Sequence, residues 1–223
     1  MNKKSVLMIS SYLLLYIVFP AILYTLKVSN PMLLALTFVA NVLLIILASF
    51  LYKETLQKDW LLLKEQEGSW GKLFKDITIV FILSKALSVI GIMLVSNFIN
   101  IEDLAQNQQM LNDFFQNNPF LFSAFLMVIF APFIEELVFR EAIIGPVHQD
   151  KRNKLILNTI ISIVLFTAAH SLMLADAIIY LPITLSLTYI YWKYDRNIIA
   201  SMAFHFINNG LAILMMYIQF KLL

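Results

Sequence analysis

Three short polar patterns stand inside otherwise apolar stretches of this 223-residue chain: Glu135-Glu136-x-x-x-Arg140, Phe166-x-x-x-His170 and His205-x-x-x-Asn209. Carboxylates and imidazoles accept and donate protons near neutral pH, and amide or imidazole N–H groups hold a developing oxyanion. Amide hydrolysis needs both: a base for water and donors for the oxyanion. Residues four apart share one face of a helix, so Glu136 and Arg140 are expected to pair and neutralise each other. Glu135 points about 100° away from Glu136 at ~3.6 residues per turn. Its i+4 neighbour is Phe139, so its partner must come from another helix. Pro132 removes a backbone hydrogen bond one turn earlier and is expected to bend the helix there. The sequence therefore predicts that Glu135, His170, His205 and Asn209 converge.

A single buried His–Glu pair often does no more than join helices. Three helices carry such groups here, and two of the three histidines lie within apolar stretches, which favours a common site. One Glu and two His with an open position also suit zinc. The chain has no HExxH helix, and Asn209 is a poor zinc ligand but a good oxyanion donor. The preferred reading needs no cofactor; zinc held by Glu135, His170 and His205 is the alternative.

The elements that position these groups belong to a membrane protein. Hydrophobic residues make up 61% of the chain and charged residues 13%, against roughly 45–50% and 25% in soluble domains. The bilayer must be the solvent for much of such a chain. The absence of cysteine excludes disulfides, thiolate metal sites and a cysteine nucleophile. A net charge of +2 gives no reason to expect nucleic acid.

On a ruler of ~20 residues per crossing, seven spans are predicted: Val6–Leu26, Pro31–Tyr52, Ile77–Ile99, Phe120–Ile144, Leu155–Leu174, Ala177–Trp192 and Ile198–Phe220. The sixth is the shortest. The first is too long for a signal-peptide core and lacks a small-residue cleavage site, so it reads as a retained span. The fold class is all-α, a polytopic transmembrane bundle of about seven to eight helices. Two parts are expected: N-terminal spans over 1–118 and a catalytic core over 119–223.

Lysine and arginine in the loops set the orientation. Lys3 and Lys4, the run from Lys53 to Lys75, Lys151–Lys154, and Lys193 with Arg196 should all be cytoplasmic. The C-terminus then lies outside, as does the loop Asn100–Asn118, which has no Lys or Arg. Segment 53–75, with Trp60 and Trp70, reads as an interfacial helix. Leu104, Leu111, Phe114 and Phe115 make the external loop either a capping helix or a solvated loop. On these spans Glu135 lies cytoplasmic of the midplane, His205 near it and His170 towards the outside. Convergence then needs helix tilt or a shift of the fifth span.

The three ordered motifs resemble those of the CPBP (ABI) membrane proteases, which include the CAAX-prenyl endopeptidases. The resemblance runs from Phe120 to about Gly210. It implies proteolysis within a membrane cavity. Glu135 with His170 would activate water, His205 and Asn209 would stabilise the oxyanion, and Glu136, Arg140 and Phe166 would support the site. The family often has glycine after the motif arginine; here it is Glu141, which bears on the substrate more than on the chemistry.

The resulting expectation is an intramembrane endopeptidase acting on a membrane-embedded or lipid-anchored peptide in the cell membrane. A non-catalytic scaffold, bacteriocin-immunity or regulatory protein is the competing reading, since folds outlive chemistries. A small transporter is the third; it lacks the paired Gly/Pro-broken spans that mark that class. Lys85 reads as snorkelling or facing a cavity, His148 as solvated, and Asn41, Asp176 and Asn208 as helix contacts or ends.

Overall fold

The computed structural model describes residues 2–65, 69–96, 109–110, 112–113, 118–171 and 176–222. Eight helices account for nearly all of them. We number them α1 (Lys3–Thr25), α2 (Asn30–Leu51), α3 (Lys53–Glu65), α4 (Ser69–Val95), α5 (Phe120–Ala142), α6 (Arg152–Ala169), α7 (Asp176–Lys193) and α8 (Ile198–Leu222). Six are long and apolar enough to cross a bilayer: α1, α2, α4, α5, α6 and, over Ile198–Gln219, α8. The chain is a multi-pass membrane protein. Most of the expected external loop, including Leu104, Leu111, Phe114 and Phe115, lies outside the described residues, as do Asn100 and Leu174.

The sixth predicted span is helix α7, and it is not among those six. It carries Pro182, Thr184, Ser186 and Thr188, and it packs on α4, α6 and α8. The packed face holds Thr184, Leu187, Thr188 and Tyr191, and Leu181, Leu185 and Tyr189 stay exposed. Its hydroxyls bond within the helix: Thr184 donates to the Tyr180 carbonyl, Ser186 to Pro182 and Thr188 to Thr184, each at 2.8 Å. At Gly91 of α4 an added Cβ would stand 2.7 Å from Ile178 Cγ2, so glycine permits this close approach.

The segment expected to lie in the interface as one helix over 53–75 is divided. Helix α3 covers its first part, and Lys72 and Lys75 already belong to α4. Helix α3 is tied to the start of α8. The Ile198 backbone N–H donates to Asp59 Oδ2 at 2.7 Å, and Asn197 Nδ2 donates to the Asp59 carbonyl at 2.9 Å. A carboxylate there meets orphan N–H groups and the positive end of the helix.

The helix ends that carry Lys and Arg meet on one side. Lys4 lies over the Tyr52 ring at 4.1 Å, Lys193 pairs with Asp76 at 2.8 Å, and Arg196 donates to the Val147 carbonyl at 2.9 Å. Asp195 and Arg196 both take positive φ in the turn between α7 and α8.

Among the described residues, three stretches widen into π-helical turns: Leu13–Val18 in α1, and Phe125–Phe130 and Leu137–Ala142 in α5. Two of them directly precede a proline-bearing segment. Pro20 and Pro132 lack an N–H and crowd the carbonyl four residues back, which disfavours the ordinary register. The backbone answers with five-residue bonds: Phe19 N–H to the Leu14 carbonyl and Ala131 N–H to the Leu126 carbonyl. The expected disturbance before Glu135 thus takes the form of a widened turn. One hydrophobic core runs through the bundle and joins Met8, Tyr12 and Leu44 to Ile134, Phe166, Leu187 and Phe204.

Candidate active site

Glu136 is fully buried within a polar network. Arg140 Nη1 donates to its Oε1 at 3.1 Å, which is the expected i,i+4 pair. His205 Nδ1 meets the same oxygen at 2.9 Å, and the Ser201 hydroxyl donates to Oε2. Arg140 Nη2 reaches the Thr184 carbonyl at 3.4 Å, and its guanidinium lies 4.3 Å from the centre of the Phe166 ring. A buried charge without such partners is expensive.

Glu135 faces the other way, as the 100° rotation requires. Its Oε2 lies 3.5 Å from His170 Nε2 and 3.9 Å from His205 Nε2. Those separations are longer than a hydrogen bond, and Oε2 is buried without a hydrogen-bond partner among the described residues. Its Oε1 accepts from the Tyr16 hydroxyl at 3.3 Å.

Both histidines have one ring nitrogen committed. His170 Nδ1 lies 2.9 Å from the Phe166 carbonyl, and His205 Nδ1 lies 2.9 Å from Glu136 Oε1. Both partners only accept, so each Nδ1 carries a proton. The other nitrogen, Nε2, of each ring faces Glu135. With Glu135 and Glu136 ionised and Arg140 charged, one imidazolium would bring the buried group to neutrality.

The depth mismatch is removed by a shift of α6 along α5. Asn158 Nδ2 donates to the Ile143 carbonyl at 2.7 Å, and the Ser162 hydroxyl donates to the Phe139 carbonyl at 2.6 Å. This register lets the first residues of α6 run past the end of α5 and brings His170 level with Glu135. His170 is not inside a continuing helix, as the sequence suggested. It is the C-cap of α6, with φ −108 and ψ 3. Its ring satisfies the carbonyl of Phe166, one of the acceptors that a helix end leaves open. Phe166 stacks on His170 at 4.4 Å between centroids and meets His205 edge-on at 5.8 Å.

Asn209 is engaged elsewhere. Its Nδ2 donates to the Met127 carbonyl at 2.8 Å, and its Oδ1 accepts from Asn208 Nδ2 at 3.0 Å. Met127 lies in the widened turn before Pro132. In the five-residue register the donor for its carbonyl would be residue 132, and proline has none. Asn209 supplies the missing N–H, leaving the second hydrogen of its amide for other uses.

The structure thus brings Glu135, Glu136, Arg140, Phe166, His170 and His205 together, while Asn209 bonds to the turn ahead of them. Glu135 Oε2 and the two Nε2 atoms are the donors a zinc ion would use. Among the described residues, no three His, Cys, Asp or Glu side chains close into a metal-binding group. Glu141 accepts from Tyr191 at 3.4 Å and packs against Gly145, where a Cβ would clash with it.

Tyr16 and Ser201 went unseen in the sequence. Ser201 was signalled by period: Asn197, Ser201, His205 and Asn209 recur every four residues on α8. Tyr16 stands four residues after Tyr12, but nothing within α1 indicates which helix that face meets.

Residues 117–211 match the family described as Rce1-like, type II CAAX prenyl endopeptidase. This segment is Rce1-like. The matched stretch runs from the start of α5 into α8 and holds every motif residue of the site. It excludes α1, and with it Tyr16. No curated protein and no solved structure matches the chain. The Rce1-like description is that of a membrane protease family, and the two buried carboxylates and two histidines lie within the Rce1-like segment.

Proposed function

We propose that this protein is an intramembrane endopeptidase that hydrolyses a peptide bond in a membrane-embedded or lipid-modified substrate. The observation that carries the reading is Glu135 Oε2, buried, without a hydrogen bond among the described residues and facing two imidazole Nε2 atoms. A water molecule between these groups would lose a proton to Glu135 as its oxygen attacks the scissile carbonyl. His170 Nε2 would orient that water. His205 becomes a donor to the oxyanion once its Nε2 is protonated, and Glu136 at Nδ1 stabilises that imidazolium. The free hydrogen of the Asn209 amide is the second donor. The proton held by Glu135 or His170 then passes to the leaving amine.

In this reading the Lys- and Arg-rich side is cytoplasmic, the N-terminus included, and 119–223 is the catalytic core. The chemistry proceeds without a cofactor. Cleavage is expected to survive dialysis against a chelator; loss that zinc restores would assign a metal to Glu135, His170 and His205 instead.

The test compares peptide termini in membranes from cells expressing wild type or Glu135→Gln at equal levels. New termini appearing only with wild type are expected, and they identify the substrate. Identical termini with a folded, inserted variant would overturn the endopeptidase reading in favour of a binding role.

A further inference from the structure

The two oxygens of Glu135 have different surroundings. Oε1 accepts from the Tyr16 hydroxyl at 3.3 Å, while Oε2 has no hydrogen bond among the described residues and faces His170 and His205. The terminal torsion of a glutamate is broad and roughly two-fold, so an untethered carboxylate exchanges its oxygens readily. A donor at one oxygen breaks that symmetry.

Tyr16 is held for this task from both sides. It sits in the π-helical turn Leu13–Val18, set by Pro20, rather than in the regular part of α1. Its ring stacks on Tyr12 at 4.9 Å, and Tyr12 meets Phe139 of α5 edge-on at 5.7 Å. Phe139 in turn meets Phe166, the ring that stacks on His170. The phenol is thus braced by the same aromatic chain that holds the histidine.

We propose that Tyr16 is a positioning residue for the base: its O–H holds Glu135 Oε1 so that Oε2 alone meets the water. Helix α1, outside the Rce1-like segment, then completes the active site and is more than a membrane anchor. The inference rests on the endopeptidase reading. The bond is longer than a usual O–H···O bond, as catalytic bonds often are before substrate arrives.

The experiment uses the full chain in liposomes with a fluorogenic peptide carrying a farnesylated cysteine three residues before its C-terminus, so that a peptide bond follows the lipidated residue. Tyr16→Phe keeps the ring stack and deletes the hydroxyl. A hydrogen bond to a charged group is worth about tenfold to a hundredfold in rate, so kcat should fall by that factor with KM unchanged. Fluorotyrosines at position 16, which differ in phenol acidity and little in shape, should give kcat values that track that acidity. Unchanged kcat in Tyr16→Phe, or a rise in KM alone, would overturn the proposal. A second arm reads the contact without turnover: the ¹⁹F resonance of 3-fluorotyrosine at position 16 should shift on Glu135→Gln and stay in place on Glu141→Gln. If wild type cleaves no peptide, the endopeptidase reading fails. The ¹⁹F arm then decides alone whether Tyr16 holds Glu135, and an unmoved resonance overturns the contact.

Discussion

Glu136 and Glu135 are one residue apart, yet Arg140, His205 and Ser201 fill the oxygens of the first, whereas the second has Tyr16 on one oxygen and, among the described residues, no hydrogen bond on the other. The rotation per residue of an α-helix turns one carboxylate into a closed network and the other towards two imidazole Nε2 atoms. A satisfied buried charge organises its neighbours and has little left to offer a reactant. A buried carboxylate oxygen with no hydrogen bond has its acceptor capacity in hand.

Substitutions at the two positions should therefore separate activity from stability. The largest effect is expected from Glu135→Gln: cleavage lower by about 10²–10⁴-fold, the range for loss of a general base, with the unfolding midpoint in detergent unchanged. Arg140→Met comes next. It strands the Glu136 charge, which typically costs ~3–5 kcal/mol, and thermal unfolding should show it whether or not substrate is present. Asn209→Ala bears on the edge of the comparison. It leaves the Met127 carbonyl without its donor, a cost of ~1–3 kcal/mol, and removes one oxyanion donor. A loss of stability without a loss of kcat would make Asn209 purely a support for the widened turn.

The smallest effect concerns the clasp at the start of α8. Burial outweighs the Ile198 N–H and Lys58 and holds the Asp59 carboxyl above its ordinary 3.8. A raised acid binds its proton more tightly in the folded state, so stability falls as pH rises from about 3.8 through the raised value, and the cost remains at neutral pH. Asp59→Asn should flatten that slope in unfolding midpoints measured between pH 4 and 7. An unchanged slope would remove Asp59 from the account.

Much of this arrangement was legible in the chain, because buried polar residues in apolar helices are few and their spacing is periodic. The Glu136–Arg140 pair follows from i,i+4 geometry alone. Convergence of Glu135 with His170 and His205 followed from type and order, but its register did not. The shift of α6 rests on Asn158 and Ser162 meeting α5 carbonyls, and hydropathy is blind to that contact. The engagement of Asn209 with Met127 was hidden for a different reason: Pro132 announced a disturbance of the helix, but which carbonyl it would orphan depends on the five-residue register. Helix α7 reads as a weak span because Pro182 and the hydroxyls of Thr184, Ser186 and Thr188 interrupt its apolar run. Tyr16 needed the packing of α1 against α5, a long-range contact with no local signature.

The most direct test of the division between the two carboxylates is a paired measurement on Glu135→Gln and Glu136→Gln in the same liposomes, reading unfolding midpoint and peptide cleavage for each. The account predicts that Glu135→Gln retains the wild-type midpoint and loses cleavage, while Glu136→Gln loses stability as its network loosens. Cleavage that persists in Glu135→Gln, or a midpoint that falls there and holds in Glu136→Gln, would contradict it.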